Sequence, residues 1–149
     1  MPPTTPQEVD STHIVALAMS LVRTARHEIL ATMNLVEELS SPLPREYFFL
    51  LQEKIQQGII LKRLAFGNPE EFERFQKQQW THERYQLRRA TTMNYKRMLL
   101  IDQTTLLFAL SSGGIRKFYY STALEDCTTF HAYFFTEWEK TATMRKHII

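Results

Sequence analysis

The stretch TMNYKRMLLIDQTTLLFALSS, Thr92 to Ser112, sets the fold class. Its first half, Tyr95 to Ile101, is an apolar run of strand length, and so is Thr105 to Leu110. Asp102-Gln103 between them makes a tight turn, so the two runs form a β-hairpin. Ser111-Ser112-Gly113-Gly114 then supplies turn formers for a flexible loop. Ile115 to Ser121 reads as a further strand.

Outward from the hairpin, strands and helices alternate. Upstream, Tyr85 to Arg89 reads as a strand. Phe66-Gly67-Asn68-Pro69 is a turn, and Pro69 with Glu70 and Glu71 opens a helix to about Gln79. Ile59 to Ala65 is a strand launched directly after Gly58, a good residue to end a helix. That helix covers Arg45 to Gln57, with Tyr47, Phe48, Leu51 and Ile55 on one stripe. Asn34 to Pro44, with its prolines and serines, reads as a connection. His27 to Met33 is a short apolar strand. Ser11 caps a first helix carrying Ile14, Leu17, Leu21 and Val22 at helical spacing. Downstream, Glu125 to Thr141 forms a last helix with Phe130, Phe134 and Trp138 on one face, followed by a frayed tail. The pattern predicts an α/β fold, a mixed β-sheet with helices on both faces, as one domain over residues 11–149. Residues 1–10, rich in Pro and Thr, read as a flexible N-terminal arm.

Composition narrows the setting. The chain has 149 residues, 44% of them hydrophobic and 23% charged, which is the range of a globular domain. Lys and Arg number 18 against 16 Asp and Glu, a net charge of +2. So small a surplus argues against nucleic acid as a partner. Cys127 is the single cysteine, so no internal disulfide forms, and a reducing, cytoplasmic compartment fits. No apolar run is long enough to span a bilayer, and the first residues do not have the pattern of a signal peptide.

The strand HEILATM, the helix ending at Gln57-Gly58, the strand IILKRLA and the hairpin from Thr92 together resemble phospholipase D-like domains over roughly residues 11–141. The family signature is His-x-Lys, four residues, Asp, six residues, then Gly-Ser with Asn two positions beyond the Ser. With Asp102 placed at the family Asp, Tyr95 stands at the His and Arg97 at the Lys. Ala109-Leu110 replace Gly-Ser, and Ser112 takes the Asn position. Moving the register by one puts Asn94 and Lys96 at the His and Lys positions, but needs a bulge before Asp102. The resemblance implies a phospholipase D-like fold with a degenerate motif. Chains of this length with one motif pair in that family, so it also implies a homodimer.

The family chemistry needs an imidazole nucleophile and a second imidazole as general acid. No His lies between His82 and His131, so no catalytic residue is assigned at this strand. A tyrosine can attack phosphorus and an arginine can clamp phosphate, but no base to activate Tyr95 is evident. The expectation is a non-catalytic, dimeric regulatory or ligand-binding module, a pseudoenzyme. Arg97, Asp102, Ser111, Ser112, Gly113 and Arg116 would hold an anionic ligand or meet a protein partner. A divergent phosphodiesterase or nuclease is one alternative, and a purely structural interaction domain is another. The five histidines are scattered without metal-ligand spacing, so neither metal nor cofactor is expected. Arg84, Arg88 and Arg89 read as the solvent face of a strand.

Overall fold

The computed structural model describes residues 6–148, with side chains through Thr141. The sheet runs β1 (Gln7–Val9), β7 (Ile115–Ser121), β6 (Thr105–Ser112), β5 (Met98–Ile101), β2 (Glu28–Asn34), β3 (Ile60–Phe66) and β4 (Tyr85–Arg89) in spatial order. β2–β3 and β3–β4 are parallel and the remaining pairs antiparallel, so the sheet is mixed, as the sequence predicts. The parallel pairs need crossovers, which the helices supply. α2 (Leu35–Ser40) and α3 (Arg45–Gln56) connect β2 to β3, and α4 (Pro69–Gln76) connects β3 to β4.

Alternation along the strands builds two cores. On one face Ile29, Leu61, Leu99 and Leu107 pack beneath α1 (Ile14–Thr24) and α3, against Val22, Leu51 and Ile55. On the other, Leu30, Leu64, Leu100 and Leu106 pack beneath α5 (Leu124–Ile148), which inserts Cys127, Phe134 and Trp138. A small third cluster of Met33, Leu35, Ala65 and Phe75 lies by α2 and α4. Placing large apolar side chains on both faces of every central strand requires helices on both faces.

The departures from the sequence reading have local causes. Gln7–Val9, expected within a loose arm, pairs with Phe118–Tyr120 as an edge strand. The first five residues of that arm and the side chains of the expected frayed tail lie outside the described residues. The segment after Asn34 is a helix, not a connection. The Asn34 side chain accepts from the Glu37 backbone N–H and so caps α2. The strand expected over Tyr95–Ile101 begins only at Met98. Upstream of it the Arg97 carbonyl still accepts from the Ala109 N–H of β6, and beyond that side chains take the place of ladder bonds. The Lys96 N–H donates to the Tyr133 hydroxyl, and the Lys96 carbonyl accepts from the Thr32 hydroxyl. The loop expected over Ser111–Gly114 shrinks to its glycines. Both have positive φ, +59° and +79°, which only glycine adopts freely.

Candidate functional site

The residues expected to form one anion site are distributed over three places. Arg97 and Asp102 stand at opposite ends of β5, about 16 Å apart at strand spacing. Arg97 and Arg116 do converge, and a carboxylate of the protein already sits between them. Glu37 Oε1 accepts from Arg97 at 2.8 Å, and Oε2 accepts from Arg116 at 2.9 Å. The Arg116 hydrogen bond, together with the field of Arg97, holds the Glu37 carboxyl below its ordinary value despite partial burial. The two guanidinium groups also lie 5.8 and 5.2 Å from the Phe118 ring. An internal anion thus occupies the place foreseen for an external one. Glu37 was not foreseen, because it lies 60 residues from Arg97 and on a segment read as connection.

Asp102 is a structural residue in this setting. Its carboxylate accepts the backbone N–H groups of Arg26, His27 and Glu28, each at 2.8 Å. These bonds tie the β5–β6 turn to the start of β2. They support a backbone at φ +52°, followed by Gln103 at +61°. Desolvation works against the charged form, but the three donors win and lower the Asp102 pKa. Ser111, Ser112 and Gly113 are exposed at the β6–β7 hairpin tip, away from Asp102.

No base is hydrogen-bonded to Tyr95 among the described residues. Its ring packs on Phe66 at 5.3 Å, and its hydroxyl is buried with no hydrogen-bond partner among the described residues. Burial raises its pKa, and the nearby Arg97 charge only partly opposes this. That is the reverse of an activated nucleophile. No group of three His, Cys, Asp or Glu side chains able to hold a metal occurs among the described residues.

A different assembly lies along α5. Lys62, on β3, places its ammonium 5.0 Å from the Phe135 ring centroid and 6.0 Å from that of Trp138. Arg88, on β4, lies 4.2 Å over Trp138 and donates to the Thr141 hydroxyl. On the opposite flank of the helix, Lys96 lies 5.1 Å over Tyr133. The Tyr133 hydroxyl donates to the Asn94 carbonyl at 2.6 Å and accepts the Lys96 N–H at 2.8 Å. Thr92, Asn94 and Lys140 converge on the buried Glu137 carboxylate and complete the pinning of this loop. Lys62 and Lys96 have no carboxylate within ion-pair distance among the described residues. The face therefore combines cations with aromatic rings on a rigid helix. Sequence reading missed it because Lys62, Lys96 and Tyr133 are far apart in the chain. The available signal was the pair of aromatic residues Tyr133 and Phe135, which fall on either side of the buried stripe of α5.

The fold class is thus a seven-stranded mixed sheet with helices on both faces. No protein-family model and no curated protein matches the chain. Among solved structures the chain is similar to TrmBL2, described as an archaeal chromatin protein whose structure shows a novel mode of DNA binding. The identity is 15% and the TM-score 0.65, covering 91% of this chain and 52% of that one. The chain spans about half the length of this neighbour, and at that identity the likeness is one of fold. It corrects the family expectation, since the likeness found is to a chromatin protein and no phospholipase D-like family model matches. The expected dimeric ligand-binding pseudoenzyme goes with it. The exclusion of nucleic acid also conflicts with the DNA binding reported for that neighbour. A net charge near zero averages over the surface and is blind to a local face.

Proposed function

We propose that this chain is a non-enzymatic domain that associates with DNA through its α5 face. The observation that carries the reading is the pair Lys62 and Lys96, unneutralised cations held against aromatic rings on the two flanks of one helix. Phosphate contacts from lysine and arginine supply most of sequence-independent DNA affinity. Aromatic rings beneath such cations hold them in place and exclude water from one side. The fold likeness to a DNA-binding chromatin protein supports the same direction. Other basic side chains have internal tasks. Arg97 and Arg116 neutralise Glu37, Lys54 donates to the Arg23 carbonyl, and Arg84 donates to the Ile55 carbonyl. Arg23, Arg26, Arg45 and Arg74 are exposed elsewhere and also lack an ion pair among the described residues, so what sets Lys62 and Lys96 apart is the aromatic ring beneath each.

The non-enzymatic part rests on Tyr95, whose buried hydroxyl has no hydrogen-bonded base among the described residues. An intracellular setting follows from a DNA partner and suits the free, buried Cys127. No helix among the described residues is long and apolar enough to cross a membrane.

Fluorescence anisotropy with a labelled duplex of about 30 base pairs tests the reading, because a few phosphate contacts should suffice at low salt. Binding is expected at about 50 mM salt and should weaken steeply toward about 200 mM. Absence of binding at the lower salt would overturn the proposal. The same duplex, and a generic phosphodiester, should remain uncleaved on prolonged incubation.

A further inference from the structure

A cavity of about 530 Å³ lies between α3, the segment after α4 and the β3–β4 half of the sheet, on the side away from α5. Its volume falls in the range of small-molecule sites. Phe48, Phe75, Trp80 and Tyr85 contribute aromatic walls. Three charged side chains also line it, the exposed Arg45 of α3 and two buried ones, Arg63 of β3 and Glu38 of α2. Arg63 is only 4% exposed and Glu38 only 9%.

Buried groups of opposite charge normally close on each other, because an unpaired one is costly. These two do not form an ion pair among the described contacts. Arg63 donates through one terminal nitrogen to the Tyr85 hydroxyl at 3.2 Å and to Gln79 Oε1 at 3.4 Å. The guanidinium is held between Phe48 and Phe75, 5.7 and 5.5 Å from their ring centroids. Among the described residues no hydrogen bond uses its remaining donors, so most of the fork is unspent. Glu38 Oε2 is buried without a hydrogen-bond partner among the described residues. Burial pushes the Glu38 carboxyl upward, toward the neutral form that can donate a hydrogen bond. The cavity thus has a fixed buried cation, a separate carboxyl group with an unused oxygen, and aromatic walls interspersed with polar side chains.

We propose that this cavity binds a small aromatic hydroxycarboxylic acid, its carboxylate on the Arg63 guanidinium, its ring against the aromatic walls and its hydroxyl on Glu38. A planar guanidinium matches a carboxylate in two-point geometry, which a lysine cannot reproduce. A buried cation whose nearby carboxyl is displaced toward neutrality favours an anionic ligand over a neutral one. The site is separate from the α5 face and does not depend on DNA binding.

Calorimetric titration of the full chain with para-hydroxybenzoate tests the inference, with benzoate and para-hydroxybenzyl alcohol as partial ligands. Saturable binding of the hydroxy acid is expected. Loss of the hydroxyl should weaken it about tenfold, and loss of the carboxylate more, as each removes a directed polar contact. Arg63→Lys should abolish binding. Because Arg63 is buried and its replacement can unfold the chain, Gln52→Trp, which fills the cavity from α3, serves as a second variant and should block binding in a folded protein. Lys62→Glu should leave the acid affinity unchanged, which separates this inference from the DNA proposal. A cavity holding water only would show no heat with any of the acids and would overturn the inference. Equal affinity for acid and alcohol, or binding that survives Gln52→Trp, would overturn it as well.

Discussion

At the scale of single residues, Asp102 commits its carboxylate to three backbone N–H groups rather than to a ligand. A carboxylate at the end of a hairpin strand was legible from the sequence. Its partners, the N–H groups of residues 26–28, lie 74 to 76 residues away and were not. Asp102→Asn keeps the shape and tolerates the positive φ, but removes the charge that three donors share. It should lower unfolding free energy by about 1–2 kcal/mol at neutral pH, the scale of charge-assisted hydrogen bonds. Because the folded pKa is lowered, the stabilisation is full above the unfolded value of about 3.9 and is lost as pH falls through the folded value. Chemical denaturation of both proteins across pH checks this. The difference should be flat above about pH 5 and shrink below about pH 4. A difference that grew on acidification would contradict the assignment. Glu37 carries the same lesson, since an arginine pair looks like an anion site until its internal carboxylate is found.

At the scale of elements, periodicity decided most of the architecture. Tyr85–Arg89 and Ile115–Ser121 are strands at the expected bounds. What periodicity cannot see is a strand shortened by side chains. Tyr95–Arg97 carries a strand-forming sequence, yet Tyr133 of α5 and Thr32 of β2 claim the backbone of Lys96. Tyr133→Phe removes both bonds of that hydroxyl and leaves the ring. A loss of about 1–2 kcal/mol is expected, with faster amide exchange confined to residues 93–97. Unchanged exchange there would show that the loop is held by Glu137 alone. Gly67 marks a second element-level constraint. A Cβ there would stand 2.8 Å from Leu35 Cβ, where α2 crosses the β3–α4 turn. Gly67→Ala should therefore cost about 1–3 kcal/mol, measured by thermal or denaturant unfolding, as for other overpacked sites. A neutral result would mean that α2 is free to move aside.

At the scale of the whole molecule, the layers were readable because every central strand is apolar on both faces. The proposed DNA-binding face was not, since it depends on which side chains from β3, the loop before β5 and α5 meet across the sheet. The bulk charge pointed away from nucleic acid, whereas the local arrangement at α5 points toward it. The salt dependence of duplex binding tests this central claim most directly. Lys62→Gln and Lys96→Gln should each reduce the slope of log affinity against log salt by about 1, and together by about 2. Lys77→Gln, whose lysine pairs with Glu73 on exposed α4, serves as the control and should leave the slope unchanged. Slopes for the α5-face variants equal to that of the control would contradict the account.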